Sequence, residues 1–301
     1  MRILITGGSG FVGAYLCEEL RRRGHTIWRP SFYEMDVTKP ENVWRYMDSI
    51  AIPDALVHLA AQSNVRNSWD SPDNTVAVNT VGTIQIYRAF AAKNPQGIFL
   101  FVGSSDEYGI AAQKGVLTEE TYCQPQNPYA VSKYAAETIL GQLSKVDNTK
   151  IICTRSFNHY GPGQKTGFVV SDFASQVAAI KTKKAMPMIS VGNLSAKREF
   201  VFVTDVIAAY VALLELDVPS GVYNVSGETA YPVREVLDTL VELAEISPRI
   251  ETDAKRYRPI DVESICGSSK KLKELTGWER KVSLRDGLKR TLDYWLKRYE
   301  H

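Results

Sequence analysis

The sequence predicts an α/β protein built on a doubly wound parallel sheet, and two observations carry that prediction. Strand-like and helix-like segments alternate through the first half of the chain, as a parallel sheet with helices on both faces requires. The first strand pattern also runs straight into a glycine-rich turn, TGGSGFVG, and from there into a helical pattern.

RILIT is a short apolar run ending in glycines, and FVGAYLCEELRRRG carries apolar residues at helical spacing up to a glycine stop. HTIWRP reads as a second strand and PENVWRYMDSI as a helix with Pro40 early in it. ALVHLAA is a strand, NTVAVNTVGTIQIYRAFAAK a long helix, and GIFLFVGSS another strand. A loop follows, then a helix that starts at NPYAVSKYAAE, then the strand KIICTRSF. After about Phe157 the rhythm breaks at NHYGPGQKTGF, rich in glycine and polar residues. Beyond it, VVSDFASQVAAIKTKK is a helix, REFVFVTDVIAAYVALLEL a strand plus helix, and VYNVSG a short strand. PVREVLDTLVELAEI and LRDGLKRTLDYWLKRYE are amphipathic helices. The expected organisation is a Rossmann-type dinucleotide-binding domain over residues 1–157, with a later contribution near 203–225. Residues 158–301 form mainly a smaller α/β substrate-binding domain.

The 301 residues include 36 basic and 34 acidic side chains, a formal charge of +2. That balance gives no electrostatic reason to expect nucleic acid or an anionic membrane as partner. Cys17, Cys123, Cys153 and Cys266 are far apart and form no CxxC pair, so neither a metal site nor a redox motif is expected. Buried, reduced thiols fit a cytoplasmic protein. The chain opens at once on a strand pattern, so no signal peptide is expected. No apolar run approaches the roughly 20 residues of a membrane span.

Gly7, Gly10 and Gly13 are spaced three apart between a strand and a helix. Glycines there permit a tight turn and close approach of the backbone to a pyrophosphate, which sits on the helix N-terminus. At the end of the second strand an acidic residue would bind the adenosine ribose hydroxyls and repel a 2′-phosphate. This chain has Arg29 in that neighbourhood, and the first acid, Glu34, comes later. The expected cofactor is NADP(H).

In NPYAVSKYAAE, Asn127 is a candidate cap and Pro128 suits the first helical turn. Tyr129 and Lys133, four apart, share a helix face. Ser104 ends a strand of the parallel sheet, and such strand ends face the ligand crevice. A serine hydroxyl, a phenol and an ammonium on a dinucleotide fold make a proton-transfer set. A phenol ionises near pH ~10 in isolation. A nearby ammonium and an oxidised nicotinamide would both favour the phenolate, so that Tyr129 exchanges a proton with a sugar oxygen while Ser104 holds that oxygen. His58 and His159 read as structural.

TGGSGFVG, HLAAQSNV, VNTVGT, SSDEYG, YAVSK and RSFNHYGPGQ resemble, in this order, the motifs of the extended short-chain dehydrogenase/reductases, within them the enzymes that act on nucleotide sugars. The resemblance implies Ser104, Tyr129 and Lys133 as the catalytic set. It implies that Gly7, Gly10, Phe11, Val12, Gly13, Arg29, Asp36, Val37, Leu59, Ala60, Ala61, Asn79 and Phe157 surround the cofactor, with Asp36 and Val37 flanking the adenine. Tyr129 and Lys133 also meet it, the lysine gripping the nicotinamide ribose.

GNLSAKREF and RPIDV resemble segments of GDP-mannose 4,6-dehydratases and GDP-4-keto-6-deoxy-mannose reductases. Arg198 and Arg258 are the candidates to grip the sugar diphosphate of a GDP-sugar, since a guanidinium holds phosphate oxygens in bidentate fashion. Lys197 and Asn193 lie nearby. Asn158, Phe168, Val169, Gln62, Ser104, Ser105 and Asp106 complete the implied substrate site. Dehydratases of this resemblance carry a glutamate that removes a sugar proton. Aligned on Tyr108-Gly109, that slot holds Asp106, with Glu107 adjacent. The departure, together with the short loop after the second strand, resembles the GDP-6-deoxy-D-mannose reductases, in which NADPH reduces the C4 ketone. A dehydratase, a 4-epimerase or other sugar reductase, and a non-catalytic NADP(H) sensor remain open at this point. The resemblance further implies a homodimer paired through helices near Asp73–Ala92 and Pro128–Ser144.

Overall fold

The computed structural model describes residues 1–254 and 262–300, with the backbone alone at 113 and 114. Six parallel strands form the central sheet: β1 (Arg2–Thr6), β2 (Thr26–Trp28), β3 (Ala55–His58), β4 (Ile98–Ser104), β5 (Lys150–Ser156) and β10 (Gly221–Val225). Their order is β10-β5-β4-β3-β1-β2. The chain moves outward from β1 to β2, then returns to β3 and runs the other way. The sheet therefore changes direction between β1 and β3, and the crevice at their C-terminal ends is where such sheets take ligands.

The strands are nearly continuous apolar runs because both faces are covered. On one face lie α2 (Pro40–Ser49), α5 (Gly82–Lys93) and α6 (Pro128–Asp147), packed on Leu4, Leu56, Phe99, Phe101 and Cys153. On the other lie α1 (Phe11–Arg22) and α8 (Val203–Glu215), over Ile3, Ile5, Val57, Leu100 and Ile152. β10 pairs with β5 in register from Gly221↔Ile152 to Val225↔Ser156. It is an edge strand, and the Lys271 ammonium donates to the Val222 carbonyl there at 2.8 Å, one way of blunting an open edge.

The long helix read from NTVAVNTVGTIQIYRAFAAK is interrupted. α4 (Pro72–Val76) passes into α5 through one π-turn at Ala77–Val81. The wider turn carries Asn79, which is fully buried. The Gln62 N–H donates to its Oδ1 at 2.8 Å, and its Nδ2 donates to the Gln62 carbonyl and the Ser132 hydroxyl at 3.0 Å each. A short α3 (Val65–Asp70) precedes α4, capped by Asn64.

The remaining strands are small pairs outside the main sheet. β6 (His159–Tyr160) pairs with β9 (Val201–Phe202), β7 (Met188–Val191) with β12 (Arg249–Thr252), and β8 (Lys197–Glu199) with β11 (Ala230–Pro232). α7 (Val169–Lys181), α9 (Val233–Ala244) and α11 (Leu284–Glu300) pack on one another, and α10 (Lys270–Thr276) lies against β10. Their apolar stripes join the core under α1 and α8. Among the described residues no helix is long and apolar enough to cross a membrane, and no cluster of side chains could hold a metal ion.

Candidate active site

The glycine-rich turn is shaped by contacts that exclude side chains. Gly7 has φ +67°, and a methyl there would stand 2.7 Å from the Ala60 nitrogen. The end of β3, with Leu59, Ala60 and Ala61 half-buried, thus lies directly against the turn. A methyl on Gly13, in the first turn of α1, would run into the Gly7 carbonyl. Gly10 is exposed, and its N–H donates to the Gly7 carbonyl at 2.9 Å. Its own missing Cβ leaves an open approach to α1, whose first turn holds no acidic side chain. This cradle fits a dinucleotide diphosphate on the helix N-terminus. Phe11 and Val12 flank it, half-buried, and Phe11 stacks on His159 with ring centres 6.4 Å apart.

Arg29 is exposed at the end of β2, and its Cβ lies against Gly8 of the turn. Glu34 is committed elsewhere, accepting from the Ser31 N–H at 2.7 Å. Asp36 and Val37 are buried, the former accepting from the Thr38 N–H and hydroxyl at 2.9 and 2.7 Å. Among the described residues no carboxylate is paired with Arg29, and an exposed cation there suits a 2′-phosphate.

Asn127 caps α6, its Oδ1 accepting from the Ala130 N–H at 2.8 Å, with Pro128 in the first turn. Tyr129 is half-buried beside Ser104. Its ionisation is pushed well above the ordinary phenol value. Burial is the largest cause, the Asp106 charge adds to it, and a hydrogen bond with Ser104 acts against it. For the chain without its nicotinamide the direction is therefore opposite to the expected lowering, because burial dominates. The Lys133 Nζ donates to the Val102 carbonyl at 2.9 Å and sits 4.9 Å from the Phe101 ring centre. Burial lowers Lys133 to about 8, and the nearby Glu107 charge opposes that shift.

Ser104 ends β4 and caps the 3₁₀ turn Ser105–Tyr108. Its hydroxyl oxygen accepts from the Asp106 N–H at 3.2 Å, and its own N–H donates to Glu107 Oε1 at 2.7 Å. Such a reciprocal cap holds the hydroxyl in one place. Asp106 is half-buried and Ser105 buried. Glu107 is fully buried and turned inward, so the carboxylate adjacent to the dehydratase slot is not offered to a ligand. Behind it, Arg155 is clamped by Glu137 at 2.6 and 3.1 Å, with its Nε 3.9 Å from Glu107. No signal in the sequence joins these three, because opposite charges on separate elements have no fixed spacing.

Other expected residues are distributed around this centre. Gln62 is engaged in its own loop, its Oε1 accepting from the Asn64 N–H and its Nε2 donating to the Asn64 carbonyl and Thr75 hydroxyl. Phe157 is buried against Gly267, and Asn158 follows it, exposed. Phe168 and Val169 are exposed at the start of α7. Lys197 is exposed, whereas Arg198 is buried, one Nη donating to the Lys197 carbonyl at 2.7 Å. Asn193 accepts from the Ser195 N–H and hydroxyl. Arg258 lies outside the described residues. His58 is a core residue between Thr6 and Thr83, at 2.7 and 3.0 Å, lowered to about 3 by burial and then by Lys133.

A direction-changing parallel sheet, a glycine cradle and a Ser/Tyr/Lys set at the strand ends define an extended short-chain dehydrogenase/reductase. The sequence model of the family described as GDP-mannose 4,6 dehydratase matches residues 25–291. GDP-6-deoxy-D-mannose reductase of Pseudomonas aeruginosa is 34% identical over 99% of this chain and 98% of its own. GDP-6-deoxy-D-talose 4-dehydrogenase of Aggregatibacter actinomycetemcomitans is 30% identical over 92% of each chain. The solved structure of RMD from Pseudomonas aeruginosa complexed with NADPH superposes with a TM-score of 0.91, covering 99% of this chain and 100% of that one at 32% identity. The chain belongs to the GDP-mannose 4,6-dehydratase family.

Proposed function

We propose that this enzyme is an NADPH-dependent oxidoreductase that reduces the C4 ketone of GDP-4-keto-6-deoxy-D-mannose to GDP-6-deoxy-D-mannose. The observation that carries the reading is the end-to-end likeness to GDP-6-deoxy-D-mannose reductase, with matching coverage of both chains. The site geometry favours the same reading. Reduction needs a proton donor at the ketone oxygen, and the Tyr129 phenol is held protonated by burial and by Asp106. The inward turn of Glu107 leaves the shorter Asp106 as the carboxyl in the slot where a dehydratase base would stand.

The roles follow from placement. Bound NADPH supplies the hydride to C4. Ser104, with its oxygen fixed by the Asp106 N–H and its hydroxyl hydrogen-bonded to Tyr129, would turn that hydroxyl to the ketone oxygen as a hydrogen-bond donor without giving up its proton. Tyr129 gives that oxygen its proton and recovers one from solvent, so the product is the alcohol and the phenol is restored. Lys133 supports the site as a cation at the nicotinamide ribose. Gly7, Gly10, Gly13, Phe11 and Val12 form the diphosphate cradle, and Arg29 takes the 2′-phosphate. Asp36 and Val37 line the adenine, Leu59, Ala60, Ala61, Asn79 and Phe157 the rest of the cofactor. The sugar nucleotide lies against Gln62, Ser105, Asp106, Asn158, Phe168 and Val169, with Asn193, Lys197, Arg198 and Arg258 toward the diphosphate.

Residues 1–157 with 203–225 act as the cofactor domain and most of 158–301 as the sugar-nucleotide domain. A cytoplasmic homodimer is the working assembly. Val76, Val81 and Val131 are exposed apolar residues on the helices expected to pair, and light scattering tests this.

The function is tested with GDP-4-keto-6-deoxy-mannose and NADPH, following NADPH absorbance and identifying the product by NMR. One NADPH consumed per C4 alcohol formed is the expected result. No NADPH loss would sink the reading, and water loss from GDP-mannose with NADP would replace it by the dehydratase.

A further inference from the structure

We propose that Glu107 is a positioning residue of this reduction: its buried side chain closes onto the Ser104 backbone and fixes the Ser104 hydroxyl at the oxygen that Tyr129 protonates. The inference rests on the reductase reading and adds a residue that touches neither sugar nor cofactor.

Burying a carboxyl is costly unless it does something a hydrocarbon cannot. Glu107 is fully buried, yet it is not needed to neutralise Arg155. Glu137 already accepts from Nε and one Nη of that guanidinium, at 3.1 and 2.6 Å, and the Glu119 carbonyl from the other Nη, while Glu107 stands 3.9 Å from it. Glu107 Oε2 has no hydrogen-bond partner among the described residues. Its other oxygen accepts from the Ser104 N–H at 2.7 Å. What the side chain accomplishes is therefore directed at Ser104.

The surroundings are shaped to permit that closure. A methyl on Gly103 would stand 2.5 Å from Glu107 Oε1 and 2.7 Å from the Thr154 carbonyl oxygen of β5, so glycine beside Ser104 leaves place for both the carboxyl and the neighbouring strand. The bond completes the reciprocal cap in which the Ser104 oxygen accepts from the Asp106 N–H. With one lone pair of the hydroxyl committed, its proton points away from the turn, toward the side where Tyr129 lies. Burial and the neighbouring Glu137 charge push the Glu107 carboxyl well above the ordinary carboxylate range.

The test compares Glu107→Leu, Glu107→Gln and Gly103→Ala in the full chain. Glu107→Leu and Gly103→Ala should each lower kcat by roughly 10–100-fold, the scale of a misplaced catalytic group, with KM for the keto sugar and the NADPH Kd held within about threefold. Glu107→Gln keeps an acceptor of the same shape and should recover most of the loss. A kcat within about threefold of the parent in Glu107→Leu, a Gln variant as poor as the Leu variant, or equal losses in kcat and NADPH binding would each overturn the proposal. If Glu107→Leu does not fold, Glu107→Ala against Glu107→Gln decides, since the Gly103 methyl also meets the Thr154 carbonyl. A second readout needs no turnover: hydrogen exchange at the Ser104 amide, whose N–H donates to Glu107 Oε1 at 2.7 Å. Its protection should fall by about tenfold or more in Glu107→Leu and be kept in Glu107→Gln, and equal protection in the Leu variant and the parent would refute the role. Should the parent consume no NADPH with the keto sugar, the reductase reading fails while this exchange still decides whether Glu107 holds Ser104.

Discussion

The Lys133 ammonium is tied to the Val102 carbonyl at 2.9 Å, two residues before Ser104 on the same strand. The contact links the helix that carries Tyr129 to the strand that carries Ser104. It also has a cost, because burial lowers Lys133 from 10.5 to about 8. Below pH 8 both the folded and unfolded chains hold this proton, and the penalty of a buried charge is fully present. Between about 8 and 10.5 the unfolded chain binds more protons, so stability contributed through this group rises with pH. Lys133→Met, of similar length and uncharged, should therefore melt about 2–4 °C above the parent at pH 7. That difference should vanish as pH approaches 10.5. Melting curves across this range check it, and a gain that grows with pH would contradict it.

Tyr129→Phe removes the proton donor without changing the shape of the site. We expect kcat to fall by roughly 10²–10⁴-fold, the range for lost general-acid catalysis, with NADPH affinity essentially retained. Because burial and Asp106 hold the phenol protonated, ionisation of Tyr129 should not cut the reduction rate below the ordinary phenol value of about 10. A rate that falls near pH 7 in the parent, and at still lower pH after Asp106→Asn removes a charge that opposes the phenolate, would show Tyr129 ionising early.

Much of this site was readable before any coordinates. The glycine spacing and the Tyr129–Lys133 pair are local signals, set by one turn and one helix, and local geometry is what a sequence encodes most directly. The sheet from β1 to β5 follows from alternating periodicity for the same reason. Contacts between distant segments were less legible. The pairing of β7 with β12 joins residues some sixty apart in strands of four residues, too short to carry a period. The sequence placed Glu107 only next to Asp106, and nothing in it told whether that carboxyl faced the sugar or the interior. The cap on Ser104 turns it inward, and only the tertiary structure decides that. The direction of the Tyr129 shift in the chain alone was not legible either, since burial, its largest cause, is set by tertiary packing.

Arg155 and Glu137 test how the interior under the site is held. Both are buried, bonded at 2.6 and 3.1 Å. Glu137→Leu leaves a buried cation beside Glu107, the Glu119 carbonyl and the Tyr108 ring, and should cost about 3–5 kcal/mol. Arg155→Met with Glu137→Leu removes both charges, and should be closer to the parent than either single change. Urea unfolding of the four proteins gives the cycle, and additive losses would show that the pair is not coupled.

The glycine cradle separates folding from cofactor binding. Gly7 has a positive φ and would place a methyl 2.7 Å from the Ala60 backbone. Gly7→Ala must shift β3 or unwind the turn, so it should lose both thermal stability and NADPH binding. Gly10 has an ordinary negative φ of −73°, and a methyl there would meet only the Gly7 carbonyl, at 3.2 Å. Gly10→Ala should fold with nearly the parent's melting temperature. It would still fill the approach to the α1 N-terminus, and should weaken NADPH binding by about tenfold or more, about 1.4 kcal/mol. Differential scanning fluorimetry without ligand, followed by NADPH fluorescence titration, distinguishes the two. Equal NADPH affinity in Gly10→Ala and the parent would place the diphosphate away from this turn.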